Sequence, residues 1–207
     1  MTRALNIILL TLAVLLLGGL EETAEACRCS QVHPQRQFCN SDVVIKAKVV
    51  GEETVYDGTF PVSIKYIIKK PKVFKGEWQE VNAVFTPYFD GLCAVHLQTN
   101  GTEYLLSGYM DSDGMHISLC GFNVPWNSLT DTQKLGVTQH YEKGCECTIQ
   151  TCFTLPCETS DPQVCLWTDV AFDVQQQADH SSCIKRDDDT CAWYTSPRVQ
   201  NRRRKGY

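Results

Sequence analysis

The alternation of apolar and polar side chains predicts that the first half of the chain is built from strands. Between Asp42 and Val50, apolar residues recur at every second position and face away from the lysines, with Val43, Ile45, Ala47 and Val49 on one face and Lys46 and Lys48 on the other. A period of two is typical of a half-buried strand. The next stretch repeats the pattern, with Ile64, Tyr66 and Ile68 alternating with Lys65 and Lys69.

Three further strands and the turns between them complete this pattern. The third strand is marked by Val81, Ala83 and Phe85, and two more are predicted at Glu103 to Tyr109 and Met115 to Leu119. Turn signals lie between them at Tyr56-Asp57-Gly58-Thr59, Asn100-Gly101 and Asp113-Gly114. No strand-helix-strand alternation is present, so we expect a small antiparallel barrel or sandwich.

Two helical segments stand out from the strands. Pro34 to Asn40 is predicted to form one short helical turn. Thr130-Asp131-Thr132-Gln133 has the spacing of a capping box and predicts the start of a longer helix. Gly144, directly before Cys145, is predicted to be the C-terminal cap of that helix.

The N-terminus has the three-part pattern of a secretory signal peptide. Arg3 precedes an apolar run from Ala4 to Leu17, and Ala24-Glu25-Ala26 is a small-residue cleavage site. The apolar run is short for a membrane span. We therefore expect residues 1–26 to be removed and the protein to be secreted, which makes Cys27 the first residue of the mature chain.

All twelve cysteines follow the predicted signal peptide. An even number of cysteines in an exported chain indicates a disulfide framework, here six bonds. The rival interpretation is a thiolate metal cluster, but the spacings do not give the paired Cys pattern with His partners that is typical of structural zinc sites.

The chain is predicted to divide at Cys145-Glu146-Cys147, with one cysteine bonding backward and the other forward. Beyond Cys147 the periodicity is lost, and six cysteines fall within Cys147 to Cys191, which indicates a small domain that needs cross-links. The predicted units are 27–145, 146–194 and a basic, disordered tail at 195–207, whose cations are Arg198, Arg202, Arg203, Arg204 and Lys205.

No catalytic motif is recognisable, so we expect no enzyme, no catalytic residue and no cofactor of its own. None of the five histidines lies in an H-E-x-x-H arrangement, and the chain has no G-x-S-x-G, Walker or dinucleotide-binding sequence. Every cysteine has a plausible disulfide partner, which leaves none as a nucleophile. Asn100-Gly101-Thr102 is a predicted N-glycosylation site on a surface turn.

Several longer motifs resemble the tissue inhibitors of metalloproteinases. The resemblance rests on the C-x-C that follows the signal peptide and on Val32-His33-Pro34-Gln35, Phe38 to Ile45, Gly144-Cys145-Glu146-Cys147, Cys165-Leu166-Trp167 and Cys191-Ala192-Trp193-Tyr194. It covers the mature chain to about Tyr194, and Val124-Pro125-Trp126 and Cys183-Ile184-Lys185-Arg186 look most like the second vertebrate paralogue.

The resemblance implies a mostly β fold with a few helices. The N-terminal domain would be a five-stranded OB-fold barrel, the netrin-like module, and the C-terminal subdomain would be small and disulfide-rich. The implied disulfides are Cys27–Cys93, Cys29–Cys120, Cys39–Cys145, Cys147–Cys191, Cys152–Cys157 and Cys165–Cys183.

The resemblance also implies a function, namely a secreted, monomeric inhibitor of zinc metalloproteinases of the extracellular matrix. The α-amino and carbonyl groups of Cys27 would chelate the catalytic zinc of the target protease. The other residues implied to contact the protease are Arg28, Cys29, Ser30, Asp90, Gly91 and Leu92, with Asn40 supporting the edge of this surface. We also expect the hairpin tip near Tyr56 to touch the protease rim.

Two features depart from the family pattern. Family members usually carry Thr or Ser where this chain has Arg28, the residue that would enter the S1′ pocket of the protease. The second paralogue ends in an acidic tail that helps dock progelatinase A, whereas the tail here is basic. Such a tail suits either sulfated glycosaminoglycans or a solvated segment with no partner. Two alternatives stay open: a netrin-module matrix or receptor ligand without inhibitory activity, and a thiol metal-binding protein.

Overall fold

Five strands of the computed structural model close into a ring. They are β1 (Val43–Asp57), β2 (Phe60–Lys75), β3 (Ala83–Pro87), β4 (Glu103–Asp111) and β5 (Gly114–Ile117). Their order around the ring is β1-β2-β3-β5-β4, and β4 pairs again with β1. The structure describes residues 27–77 and 81–195, so the predicted signal peptide (1–26) and the tail from residue 196 onward lie outside the described residues.

The closed ring confirms the mostly β fold and the five-stranded barrel that the family resemblance implies. One pair of neighbours departs from the antiparallel expectation, because β3 and β5 run parallel, with Val84 opposite Met115 and Phe85 opposite His116. Parallel neighbours need a connection longer than a tight turn. Here the chain from residue 88 through β4 makes that connection, and the periodicity of the strands does not encode it.

The interior of the barrel is filled by the predicted face of β1. Val43, Ile45, Ala47 and Val49 are each at most 4% exposed. They pack in one apolar cluster with residues from the other strands of the ring, including Tyr66, Val84, Leu106 and Ile117. The alternation of apolar and polar residues in β1 therefore correctly predicts which of its side chains are buried in the barrel core.

Of the three residues that marked the third strand in the sequence, Val81 is buried in the barrel cluster but precedes β3. Val84 and Thr86 are buried, whereas Ala83 and Phe85 are only partly buried. Phe85 instead stacks on the ring of His116, with the two ring centroids 5.4 Å apart. A large aromatic side chain on the outer face of the strand therefore imitated a core residue in the sequence pattern.

A second apolar cluster lies between the barrel and the helices. The predicted helix α1 (Pro34–Asn40) contributes the fully buried Phe38, which shares this cluster with Val44, Leu105 and Tyr141. Two short elements line the same side, β6 (Val124–Pro125), which pairs with β4, and a 3-10 turn at Trp126–Ser128. Because Val44 faces this cluster, β1 is buried on both faces.

Helix α2 (Asp131–Leu135) begins at the predicted capping box. The Gln133 N–H donates to Thr130 Oγ1 at 3.1 Å, and the Thr130 N–H donates to Gln133 Oε1 at 2.9 Å. The helix continues as a π-helical turn at Gly136–His140 and a 3-10 turn at Glu142–Gly144.

The prediction that Gly144 caps this helix is wrong, because Gly144 lies inside the last turn and Cys145 is the cap. A Cβ atom on Gly144 would overlap the Cys183 carbonyl oxygen and the side-chain amide of Gln35. Glycine is therefore required here for the close approach of the C-terminal segment.

The described part of the C-terminal segment, up to residue 195, forms two small sheets and two short helices. They are β7 (Thr148–Thr151), β8 (Val164–Trp167), α3 (Asp169–Phe172), α4 (Gln176–His180), β9 (Ser181–Lys185) and β10 (Cys191–Thr195). Strands β7 and β8 run parallel, and β9 and β10 run antiparallel. Thr195 pairs with Ser181, so the strand extends one residue into the segment predicted to be a disordered tail. Among the described residues, no helix is long and apolar enough to cross a membrane.

A buried polar seam joins the C-terminal subdomain to the start of α1. The Gln35 side chain is 1% exposed, its Nε2 donates to the Cys183 carbonyl at 2.6 Å, and its Oε1 accepts from the Cys183 N–H at 2.8 Å. His33 is fully buried between the rings of Trp167 and Trp193, with centroid distances of 5.5 and 5.1 Å. Burial lowers the pKa of His33 to about 4. The subdomains are thus in intimate contact around two side chains of the motif that carried the family resemblance.

Candidate functional site

The segment Cys27 to Ser30 lies on the surface without regular secondary structure, and Arg28, Cys29 and Ser30 are exposed. Disulfides hold it at alternate residues. Cys27 is bonded to Cys93 and Cys29 to Cys120, with Cα–Cα distances of 5.1 and 5.2 Å. Since the cysteines on both sides of Arg28 are tied to the barrel, the Arg28 side chain is presented to solvent from a fixed backbone.

The second part of the site is a 3-10 turn at Asp90–Leu92, all three residues of which are exposed. The turn ends at Cys93, which has φ 65° and whose N–H donates to the Asp90 carbonyl at 3.0 Å. Because Cys93 bonds to Cys27, the Cys27–Cys93 disulfide places this turn beside the N-terminal segment. These two segments form one surface, which we call the ridge (residues 27–30 and 89–93).

The segment that carries Cys120 is hydrogen-bonded to the ridge and to helix α1. The Leu119 N–H donates to the Cys93 carbonyl at 2.9 Å, and Gln37 Nε2 donates to the Cys120 carbonyl at 3.1 Å. Both anchoring disulfides are thereby tied to each other and to helix α1.

Asn40, the last residue of α1, is exposed and does not belong to the ridge itself. It borders a depression of about 230 Å³ that is also lined by Gln37 and Cys120. No hydrogen bond joins Asn40 to residues 27–30 within the described part of the chain. Its predicted supporting role stays a prediction.

The sulfur atoms at the ridge are not available as metal ligands. Those of Cys27, Cys29, Cys93 and Cys120 lie within 4.8 Å of one another, which resembles a thiolate cluster by distance alone. All twelve cysteines of the sequence are bonded, in the six pairs that the family resemblance implies. A disulfide sulfur is not a thiolate, so this arrangement argues against the thiol metal-binding alternative.

Sequence reasoning missed the apolar side chains that surround the ridge. Phe89 and Leu119 are each 54% exposed, Leu92 is 63% exposed, and Tyr88 packs edge-on against Phe89 with centroids 5.1 Å apart. Exposed apolar groups that cluster at one place indicate an interaction surface. The available signal was the pair of adjacent aromatic residues directly before the turn at Asp90.

The tip of the β1–β2 hairpin is a separate exposed surface. Gly58 has φ 61° at the predicted turn, and Tyr56 and Phe60 are 61% and 75% exposed. No hydrogen bond or ring contact joins this tip to the ridge within residues 27–77 and 81–195. Its contact with a protease rim therefore stays a prediction.

Comparisons with known proteins agree on one family. A family model described as tissue inhibitor of metalloproteinase matches residues 25–193. The chain is 44% identical over 204 residues to the protein named metalloproteinase inhibitor 2 of Homo sapiens, covering 94% of this chain and 93% of that protein. It is 45% identical over 195 residues to the protein of the same name from Cavia porcellus, covering 89% of each. It is also 40% identical over 180 residues to metalloproteinase inhibitor 3 of Scyliorhinus torazame, covering 84% of each.

Proposed function

Because this chain belongs to the tissue inhibitor of metalloproteinase family, we propose that its ridge blocks a metalloproteinase at the catalytic zinc through the backbone of Cys27. The chain is a metalloproteinase inhibitor rather than an enzyme. The alternative of a netrin-module ligand without inhibitory activity is not favoured by any of these relatives.

Removal of residues 1–26 would leave Cys27 with a free α-amino group. The amine must be neutral to donate its lone pair, and its ordinary pKa of about 7.7–8.0 makes that accessible near neutral pH. The amine nitrogen and the carbonyl oxygen of Cys27 would then occupy the coordination positions that hold the reactive water in a zinc protease. Inhibition should accordingly release protons as the complex forms.

The observation that carries the proposal is the pair of disulfides on either side of Arg28. Cys27–Cys93 and Cys29–Cys120 fix the segment before any partner arrives. A segment held in its bound geometry pays less conformational entropy on binding, and this favours slow dissociation. A terminus that lacked these bonds would be expected to fray.

The neighbouring residues have different roles in this proposal. Arg28 enters the S1′ pocket, Ser30 continues along the primed side, and the turn at Asp90–Leu92 lies on the other side of the zinc. The exposed side chains of Phe89, Leu92 and Leu119 supply apolar contact area around the polar backbone. Asn40 supports the edge of the surface next to Cys120.

The proposal extends to the setting in which the protein acts. We expect a secreted monomer that inhibits matrix metalloproteinases and related enzymes in the extracellular space and uses no cofactor of its own. The five cations of the tail, Arg198 to Lys205, are proposed to attract sulfated glycosaminoglycans in the matrix. This attraction should weaken with salt.

The decisive test alters only the first residue of the mature protein. Protein that begins at Cys27 is compared with protein that carries one additional alanine before Cys27, with the disulfides of both verified by mass spectrometry. The additional residue converts the Cys27 amine into a peptide amide, which cannot donate its lone pair to zinc, and it adds bulk at the zinc. Inhibition of a matrix metalloproteinase should therefore be lost. Equal inhibition by a homogeneous extended protein would show that the Cys27 amine is not a zinc ligand.

A further inference from the structure

Asn100-Gly101-Thr102 is the only Asn-x-Ser/Thr sequence in the chain, and we infer that Asn100 carries an N-linked glycan that covers the open edge of strand β1. The inference shares with the proposed function only the expectation of export through the secretory pathway. It is independent of zinc chelation, and the ridge takes no part in it.

The local geometry presents the side chain of Asn100 to solvent. Asn100 is exposed, and its Oδ1 accepts hydrogen bonds from Thr102 Oγ1 at 2.5 Å and from the Thr102 N–H at 3.2 Å. Gly101 has φ 88°, a left-handed backbone conformation that glycine adopts without strain. Among the described residues, the Nδ2 amide of Asn100 makes no hydrogen bond, so a large group on this nitrogen would extend into water without displacing a contact.

N-glycosylation transfers an oligosaccharide from a lipid carrier to the side-chain amide of Asn100. Asn100 Nδ2 forms a bond to the anomeric carbon of an oligosaccharide carried on a lipid pyrophosphate. The bond between that carbon and the pyrophosphate oxygen breaks, the lipid pyrophosphate leaves, and the amide nitrogen gives up one proton. The hydroxyl of Thr102 lies beside the acceptor amide, where the Asn-x-Ser/Thr sequence requires it.

The turn that carries Asn100 sits where β1 loses one of its two neighbours. The Gly101 N–H donates to the Val49 carbonyl at 2.9 Å, and the Val49 N–H donates to the Thr102 carbonyl at 3.1 Å. Beyond Val49, the described part of β1 pairs with β2 alone as far as Asp57. An open edge of residues 50–57 remains, about 26 Å long at ~3.3 Å per residue.

An open strand edge is a template for pairing with a second copy of the chain. Three exposed carboxylates, those of Glu52, Glu53 and Asp57, lie along this edge and oppose such pairing in part, although the Glu53 carboxylate is paired with Lys65 Nζ at 3.1 Å. If two copies paired antiparallel along this edge, the residue 50 end of one copy would face the hairpin tip of the other. A bulky, hydrated glycan on Asn100 would collide with that tip, so the glycan keeps the protein monomeric.

The first experiment locates the glycan. The full chain is secreted from a eukaryotic host, and its intact mass is measured before and after treatment with peptide N-glycosidase, which converts a glycosylated Asn100 to aspartate. Wild type and the control Thr102→Ser should lose carbohydrate mass, whereas Asn100→Gln and Thr102→Ala should carry none. The mass of the released polypeptide shows independently whether the chain begins at Cys27. Secreted and processed protein with an unmodified Asn100 would overturn the assignment.

The second experiment tests the covered edge by light scattering of purified protein at increasing concentration. Glycosylated protein should stay monomeric over this concentration range. The Asn100→Gln variant should dimerise, with a dimer dissociation constant at least about tenfold lower than that of the glycosylated protein. Adding the exposed edge change Thr54→Lys to Asn100→Gln should restore the monomer, whereas the matched surface change Gln98→Lys should not. The edge role is refuted by an unglycosylated protein that remains monomeric, or by a dimer that is indifferent to Thr54→Lys.

Discussion

The barrel and the C-terminal subdomain are stabilised in different ways. Among the residues that the structure describes, the barrel cluster contains fourteen buried residues, which include two tyrosines but no cysteine. The C-terminal cluster contains six, and Cys147, Cys165 and Cys183 are three of them. Fully burying one aliphatic or aromatic side chain contributes roughly 1.5–3 kcal/mol. The hydrophobic core can therefore stabilise the barrel by itself, whereas the stability of the subdomain depends on disulfides and on its seam with the barrel.

Several buried polar groups lie at the seam or in the C-terminal subdomain, although the barrel strands also bury Thr86 and Ser107. Gln35 and His33 lie at the seam, and the buried Asp169 accepts from the backbone N–H groups of Gln177 and Ala178 at 2.7 and 3.0 Å. Gln35 and His33 Nε2 find their partners Cys183 and Gln177 only while the subdomain is docked against α1. Asp169 is satisfied within the folded subdomain itself. Buried hydrogen bonds with fixed geometry specify one docked arrangement, and their loss is costly when a partner is left unpaired.

The strongest test of this comparison removes the subdomain altogether. A chain of residues 27–145 keeps the complete barrel cluster and the disulfides of Cys27, Cys29 and Cys39. We expect it to fold cooperatively and to inhibit a metalloproteinase as the full chain does. The pKa of His33, measured by NMR, should return toward its ordinary value because Trp167 and Trp193 no longer cover the ring. Failure to fold under conditions that refold the full chain would show that the barrel is not self-sufficient and that the predicted boundary is wrong.

The sequence predicted the barrel well because burial there follows a period of two. The face of β1 from Val43 to Val49 and the capping box at Thr130 were both correct, since each depends on neighbours within a few residues. The pattern was misleading where tertiary contacts decide. Phe85 is apolar but packs outside the barrel on His116, and Gly144 serves a close approach of Cys183 rather than a helix cap.

The candidate site was predictable for a different reason. Cys27 and Cys29 directly follow a signal-peptide pattern, and the family resemblance supplied the pairing that four nearby cysteines leave open. Periodicity and spacing contain no information on which of Cys93 and Cys120 joins which partner. The apolar surroundings at Phe89 and Leu119 were missed because exposure is a property of the folded surface.

Removing one cross-link should unfold the subdomain while sparing the barrel. The double change Cys165→Ser with Cys183→Ser opens a disulfide with a sequence separation of 18 inside the C-terminal cluster. Loss of such a bond typically costs about 2–5 kcal/mol. We expect rapid proteolysis within residues 146–195 and unchanged inhibition through the ridge, measured on the same sample.

The matched control is Cys152→Ser with Cys157→Ser. That disulfide has a sequence separation of only 5 and lies beside exposed side chains such as Phe153. A smaller loop constrains the unfolded chain less, so the subdomain should stay protected from protease. Equal sensitivity of the two double variants would mean that the location of the cross-link in the cluster is unimportant.

Acid should loosen the seam through His33. The unfolded chain takes up a proton on His33 near pH 6.5, whereas the folded chain does so only at about pH 4, because burial lowers the pKa by more than the Gln177 carbonyl and Asp169 raise it. The unfolded state binds more protons between these values, so stability is full above pH 6.5 and falls as the pH drops to about 4. The full shift corresponds to ~3 kcal/mol.

The measurement is the melting temperature of the full chain as a function of pH, compared with that of His33→Gln. Carboxylates also titrate toward pH 4, and the variant subtracts their contribution because it lacks only the imidazole. Wild type should lose more stability than the variant between pH 6.5 and 4. Parallel curves would mean that His33 does not sense pH at the seam.

The smallest expected effect concerns Arg28, the residue of the ridge that is proposed to enter the S1′ pocket of the protease. Arg28 is exposed between two anchored cysteines, so its backbone cannot move away from an ill-fitting pocket. If its side chain enters S1′, a shallow pocket must bury the guanidinium unpaired, and an unmatched polar group costs ~1–3 kcal/mol. Arg28→Thr should therefore tighten binding to shallow-pocket collagenases by about tenfold, since 1.4 kcal/mol is one decade. For deep-pocket gelatinases, where the guanidinium reaches water, the gain should be small.

Two further variants separate the charge of Arg28 from its bulk. Arg28→Gln removes the charge but keeps most of the length, and Arg28→Lys keeps the charge on a thinner chain. If desolvation of the charge dominates, Arg28→Gln should recover much of the gain of Arg28→Thr and Arg28→Lys should recover little. The change should appear in the dissociation rate, because the docking surface is otherwise unaltered. If all four proteins dissociate at the same rate from both protease classes, then the Arg28 side chain lies outside S1′ and does not contribute to affinity.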